Sequence, residues 1–307
     1  MSSPQSSPPP TVPHTSFDPS TLPRYPLPFT PPISPIQVAT LITTVSFLPG
    51  LTSLLHTLIP FLPSSSPSVL IFHTINPLPP SFLTNPFITS HCTLLQIPPL
   101  SSPQNPQNWC YSKLHLFSPH HYPPGTENVL YIDADCILLL SPFPYLQDLI
   151  TSSEYTGFAA SPDIFPPDRF NAGLMLFKLN ENIGNCILQN IDNLGTYDNG
   201  DTGYLNRYLP NYYKHLNRLP FKFNCQRVLS WLTSEDGGSG YWRELENDGI
   251  VVLHMSSTPK PWDEGARKGE IELKWWEVYT HGKNLRRVSA SSYDHVCVRQ
   301  STHSTSP

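Results

Sequence analysis

The stretch ENVLYIDADCILLL, residues 127–140, is the most hydrophobic run in the chain, and its reading decides the fold. A continuous apolar segment of this kind suits a strand buried on both faces, so it is expected as the central strand of a sheet. Two acidic residues, Asp133 and Asp135, interrupt it. Side chains alternate along a strand, and a spacing of two puts both carboxylates on one side of the chain. Two like charges sharing a small site need a cation, and hard oxygen ligands suit Mg2+ or Mn2+. An isolated DxD also describes a solvated turn at a strand end, so the surrounding sequence has to decide.

Upstream, QVATLITTVSF (37–47) is a short apolar, β-branched run, and LPGLTSLLHTLIPFL (48–62) follows with Leu51, Leu54, Leu55 and Leu58 at helical spacing. That predicts strand, turn and amphipathic helix. SVLIFHTI (68–75) and the weaker CTLLQI (92–97) are further strand candidates, and NWCYSKLHLFSPHHY (108–122) reads as a helix placing Trp109, Leu114 and Phe117 on one side. Elements alternating in this way predict an α/β fold, a single domain with a central, mostly parallel sheet whose ligands sit beyond the carboxyl ends of the strands.

Three downstream segments carry candidate chemistry. RFNAGLMLFKLN (169–180) has a small-residue elbow, Asn171-Ala172-Gly173, entering an apolar strand; it suits close ligand approach or simple packing. YDNGDTGYLNRYL (197–209) presents Asp198 and Asp201 around Gly200 at a helix start, where an acidic residue is also an ordinary cap. VVLHMSSTPKPW (251–262) ends an apolar strand in His254, with Lys260 six residues later; singly, such residues are usually structural or solvated.

Composition bounds the rest. With 18 Lys+Arg against 23 Asp+Glu, the net charge of −5 comes without basic runs, which argues against a nucleic-acid partner. No 18-residue apolar stretch predicts a membrane span, and no signal peptide is visible, so a cytoplasmic location is expected unless an upstream Golgi anchor is missing. The six cysteines lie far apart without a CxxC, which predicts reduced thiols. Proline is the outlier at 37 residues. Residues 1–35 hold 12 prolines and 7 serines but two charges, Asp18 and Arg24, and are expected as a disordered lead-in; 36–290 is expected as the folded domain and 291–307 as a disordered tail.

The segments YSKLHLFSPHHY, YIDADCILL, FNAGLMLF, DNGDTGYLN and HMSSTPKPW, in this order, resemble glycosyltransferase family 8, the glycogenin-like retaining enzymes that use nucleotide-diphosphate sugars. TLITTVSFLPG (40–50) resembles the family's first strand and nucleotide-binding turn. The resemblance implies a GT-A fold, a Rossmann-like sheet binding a UDP-sugar, UDP-glucose or a close relative. It implies a Mn2+ ion, with Mg2+ as the alternative, held by Asp133, Asp135 and His254, and a hexosyltransferase activity. Lys260 would sit on the diphosphate and Lys113 near the sugar or its phosphate. Asn171, Ala172, Asp198, Asp201, Thr202, Ser257 and Ala134 would surround the donor, and Leu41, Thr43 and Phe47 fall where the family binds uracil.

Two departures stand out. Asp201-Thr202-Gly203 replaces the family's DQG, and Ser257 stands near the glycine usual after the metal histidine. The first keeps open a non-catalytic sugar-nucleotide-binding or scaffold protein of the same fold. Retention by double displacement would need Asp198 or Asp201 as nucleophile, whereas front-face substitution needs position and charge stabilisation from the protein. The acceptor is a hydroxyl of a glycan, a polyol or the chain's own tyrosine, with Tyr197, Tyr204, Tyr208, Tyr212, Tyr213 and Tyr241 as candidates, and a homodimer is compatible with the family. Trp231, Tyr241 and Trp242 fit a sugar platform or a packed core, and Trp275-Trp276 suits helix packing.

Overall fold

The computed structural model describes residues 17–281 apart from 31, 33, 63–68, 211, 234–239 and 267. Ten strands form two sheets: β1 Gln37–Ile42, β2 Val69–His73, β3 Cys92–Gln96, β4 Asn128–Ile132, β5 Cys136–Leu138, β6 Phe158–Pro162, β7 Phe170–Lys178, β8 Asn217–Arg218, β9 Cys225–Gln226 and β10 Val252–His254. Seven of them follow the order β3-β2-β1-β4-β7-β6-β8, and the other three follow β5-β10-β9. β1 pairs in parallel with both β2 and β4, and β7 joins β4 antiparallel.

Strand alternation explains the layering. Ala39 and Leu41 of β1, with Val129 and Tyr131 of β4, face one apolar cluster; Val38, Ile42, Leu130 and Ile132 face another. Both faces are covered, so β1 and β4 are buried along their whole length. The helix Leu48–Leu58 covers the second face with Leu51, Leu54, Leu55 and Leu58, each fully buried, at the spacing read from the sequence. A third cluster under the small sheet gathers Trp242, Leu253, Met255 and Trp275, the last from a helix over 270–281.

This topology fixes where a ligand can sit. From β1 the chain winds outward to β2 and β3, then crosses back to β4 on the other side. The connections leaving β1 and β4 therefore part at their carboxyl ends, which opens a crevice at the switch point. Those ends deliver Thr43 and Asp133.

The expected single strand 127–140 is two. The Asp133 amide donates to Gly173 O at 2.8 Å, and the Cys136 amide donates back to Asp133 O at 3.0 Å, closing a turn over Asp133–Asp135. β5 then leaves the main sheet and pairs antiparallel with β10, Cys136 opposite His254. Residues 109–117 form a 3₁₀ helix. Its period of three, in place of 3.6, buries Tyr111, Leu114 and Phe117 together and leaves Trp109 40% exposed.

The lead-in also departs from expectation. Residues 1–16 lie outside the described residues, as do 282–307 with the expected domain end near 290. From residue 17 onward the chain is laid against the domain: Tyr25 is 6% exposed, packs 5.6 Å from the Phe158 ring and donates its hydroxyl to Lys178 O. The Leu27 amide donates to Thr156 O at 2.8 Å. Low apolar content is offset by one well-placed aromatic, whose burial contributes about 1.5–3 kcal/mol. Among the described residues no helix is long and apolar enough to cross a membrane, and Cys92, Cys110, Cys136, Cys186 and Cys225 are free thiols.

Tyr25→Ala is expected to destabilise the domain by about 3 kcal/mol, read as a lower urea midpoint at unchanged slope. An unchanged midpoint would show that the segment does not belong to the cooperative unit.

Candidate active site

Three lone-pair donors converge beyond the end of β4. His254 Nε2 lies 3.3 Å from Asp135 Oδ1 and 3.8 Å from Asp133 Oδ2. The turn at 133–135 supplies the two carboxylates, and pairing of β5 with β10 brings the imidazole to them. Proximity therefore comes from a turn and a cross-strand pair, not from alternation within one strand.

Each ligand's far side is held. Tyr131 donates its hydroxyl to Asp133 Oδ1 at 2.5 Å, and the Lys113 ammonium sits 3.0 Å from the same oxygen. Lys260 Nζ lies 2.5 Å from Asp135 Oδ2 and donates to Met255 O at 2.9 Å. His254 Nδ1 lies 2.9 Å from Asn224 Oδ1, while Asn224 donates its amide to Asn171 Oδ1 at 2.9 Å. Asn171 Oδ1 also accepts from the Gly173 amide. With its amide group spent on Asn171, Asn224 can only accept from His254, so Nδ1 carries a proton and Nε2 is the ring nitrogen a metal ion would take.

The donor set of two carboxylate oxygens and one imidazole nitrogen fits Mn2+ or Mg2+. Asp135, Cys136 and His254 are also close enough to share an ion. Burial pushes the Cys136 thiol well above its ordinary range, so it stays neutral, and Asp133 is the better third ligand. Burial alone would raise the Asp135 carboxyl, but His254 and Lys260 outweigh it and hold it well below the usual carboxylate range.

Lys113, expected near the sugar or its phosphate, is buried beside the carboxylates. Its ammonium lies 3.0 Å from Asp133 Oδ1 and 2.6 Å from Asp201 Oδ2, donates to Ala172 O at 3.2 Å and packs over the Tyr131 ring at 5.0 Å. Burial opposes its charge, yet Asp133 and Asp201 raise its pKa above that of a free lysine. Burial, ahead of the Lys113 attraction, raises the Asp201 carboxyl. Asp198 accepts from the Gly200 and Gly203 amides and the Thr196 hydroxyl, bracing the first turn of the helix Asp201–Tyr208, whose N-cap is Gly200. Thr202 Oγ1 accepts from the Ala172 amide at 3.3 Å.

The three residues expected at uracil lie at and just after the end of β1. Leu41 is buried at the end of β1, Thr43 O accepts from the Thr74 hydroxyl, and Phe47 meets Trp262 edge-on at 6.0 Å with Lys260 Nζ 5.6 Å from its ring. Ala134 sits in the carboxylate turn, and its carbonyl would lie 2.7 Å from a Cβ at Gly50. That glycine lets the first helix approach the turn. Gly173 does the same for the histidine, since a Cβ there would lie 2.4 Å from His254 Cε1. The elbow residues 171–173 lie within β7 itself, not ahead of it.

Trp242, expected on a sugar platform or in a core, is 4% exposed in the small-sheet cluster, and Trp231 stacks on Arg227 at 4.9 Å; Tyr241 is 39% exposed. Sequence reading missed Tyr131, Asn224 and Gly50. Tyr131 and Gly50 lie within the segments YIDADCILL and TLITTVSFLPG, but nothing local set them apart from their neighbours.

Lys113→Met is expected to cost about 3–5 kcal/mol, because it strands Asp133 and Asp201 without a buried partner. Chemical unfolding checks this, and a loss below about 1 kcal/mol would mean both carboxylates are solvated.

No protein-family model matches the chain. A glycogenin from Komagataella phaffii is 29% identical over 219 residues, covering 66% of this chain and 49% of that protein. An inositol phosphorylceramide glucuronosyltransferase from Arabidopsis thaliana is 28% identical over 189 residues, 55% of this chain and 29% of that protein. The chain thus spans about half, or less, of the length of these relatives. The crystal structure of galactosyltransferase LgtC with donor and acceptor sugar analogues has the same fold, with a TM-score of 0.57 at 14% identity over 80% of this chain and 96% of that one. The chain is thus similar in sequence to glycogenins and shares the GT-A fold of LgtC.

Proposed function

We propose that the chain is a retaining hexosyltransferase that moves a sugar from a UDP-sugar, UDP-glucose or a close relative, to a hydroxyl acceptor, with Mn2+ held by Asp133, Asp135 and His254. The observation that carries this reading is the convergence of three lone pairs at the switch point, with Lys260 beside them. Bound Mn2+ supplies Lewis-acid neutralisation of charge on the diphosphate. Lys260, 13% exposed at its side chain, is the cation available to a leaving diphosphate, and Phe47 and Trp262 wall its side of the crevice.

The carboxylate geometry favours front-face substitution. Asp201 is engaged by Lys113 and Asp198 by two backbone amides, so neither is poised as a nucleophile. Their work is positioning: Asp198 sets the start of the helix that carries Thr202, and Asp201 fixes Lys113 against the carboxylate turn. Asn171, whose Oδ1 takes two hydrogen bonds, keeps its amide nitrogen for a donor hydroxyl.

The acceptor candidates divide by burial. Tyr204, Tyr208 and Tyr212 are buried, with hydroxyls given to Ile187 O, Pro23 O and Ala160 O. Tyr197 and Tyr213, each 43% exposed, and Tyr241 are the ones a self-glycosylating chain could present. The second reading, a sugar-nucleotide-binding protein without turnover, draws on Thr202: its hydroxyl is turned to the Ala172 amide where the family has a glutamine.

Incubation with Mn2+ and UDP-glucose is expected to release UDP, and chelation to abolish it. Asp135→Asn is expected to lower release at least about 100-fold while the protein stays folded; retained turnover would overturn the metal assignment. Nucleotide binding without release in the parent would support the binding-only reading. Asn224→Ala should weaken Mn2+ binding about 10- to 100-fold, read by the electron paramagnetic resonance of free Mn2+. Unchanged binding would remove the imidazole orientation from the account.

A further inference from the structure

Between His254 and Lys260 the chain makes a tight loop, MSSTP (255–259), whose shape decides how far the metal ligand stands from the phosphate lysine. Ser257 in this loop has φ +71°, a left-handed conformation that a non-glycine residue adopts only under constraint. The loop is mostly exposed, so no apolar packing supplies that constraint: Ser257, Thr258 and Pro259 all face solvent. The constraint comes from behind.

Arg227, 1% exposed, begins the helix Arg227–Thr233 directly after β9, the strand that pairs with β10. Its Nε donates to Ser256 O at 2.7 Å, and one Nη donates to Ser257 O at 3.1 Å and to Pro259 O. The other Nη donates to Glu272 Oε1 at 3.3 Å, and Glu272, also 1% exposed, stands on the helix over 270–281. The Trp231 ring lies under the guanidinium at 4.9 Å. One planar cation thus gathers three carbonyls of a single loop, a task that a lysine's point charge cannot copy.

We infer that Arg227, anchored by Glu272, is the positioning residue of the donor site. It holds the 255–259 loop in its left-handed form, so that His254 and Lys260 keep their spacing, and it makes the helix over 270–281 part of the site. A glycine would take this left-handed turn unaided; this chain instead sets an arginine clamp behind a serine. The functional part of the inference rests on the proposed UDP-sugar reading; the clamp itself does not.

The test compares the parent, Arg227→Lys, the double variant Arg227→Met with Glu272→Leu, and the double variant carrying Ser257→Gly in addition. Removing both charges together avoids an orphaned buried ion, so the double variant should fold and melt near the parent. Hydrogen exchange over 252–262 should speed up about tenfold in the double variant and in Arg227→Lys, and UDP binding in Mn2+ should weaken about tenfold. Ser257→Gly should return most of the UDP affinity, because glycine takes up the left-handed turn without strain. Parental exchange rates in a folded double variant would overturn the clamp. Faster exchange without rescue by Ser257→Gly would overturn the role of Ser257. A parent that binds no UDP would overturn the functional reading, and the exchange data would still decide the clamp.

Discussion

Three carboxylates, Asp133, Asp135 and Asp201, meet at the end of an otherwise apolar sheet, and everything around them follows from the need to balance that charge. Burial penalises the charge on Asp135 and Asp201, and uncompensated like charges this close repel one another. Lys113 compensates two of them from within the 3₁₀ segment, and Lys260 the third from the loop after β10. The two lysines differ in freedom. Lys113 is buried between two carboxylates, whereas the Lys260 side chain pairs with one carboxylate from the loop after β10.

Position comes from topology. β1 and β4 lie side by side but their connections leave in opposite directions, and the crevice between their ends is the place where an α/β sheet admits a ligand. The antiparallel return of β7 adds a second element to that crevice, since Gly173 lies across from the carboxylate turn and has no side chain to exclude the imidazole. The small sheet then delivers His254 from β10. Three separate stretches of sequence, about 120 residues apart at the extremes, thereby supply one ligand cluster, with hydrogen-bond partners that fix the direction of every lone pair.

Much of this was legible beforehand. The leucine spacing at 51–58 and the buried runs at 37–42, 69–73 and 128–132 declare themselves because hydrophobic period reports directly on which faces are covered. Asp133, Asp135, His254 and Lys260 were found through motif order. What stayed hidden depends on contacts across distant elements. Nothing local in NWCYSKLHLF distinguishes a period of 3.0 from 3.6, so Trp109 was expected inside and Tyr111 was not considered. The Pro/Ser-rich lead-in has the composition of a disordered segment, and its order over 17–30 hangs on Tyr25 finding a slot beside Phe158. Arg227 and Glu272 look like two surface charges 45 residues apart, and only the packed helices show that they are buried against each other.

The most direct measurement is a crystal of the chain grown with UDP and Mn2+, with anomalous diffraction collected at the manganese edge. The predicted result is a single strong peak about 2.0–2.3 Å from Asp133 Oδ2, Asp135 Oδ1 and His254 Nε2, with Lys260 Nζ moved from Asp135 to the diphosphate. A peak elsewhere, or UDP bound with Lys260 still paired to Asp135, would contradict the assignment of these residues.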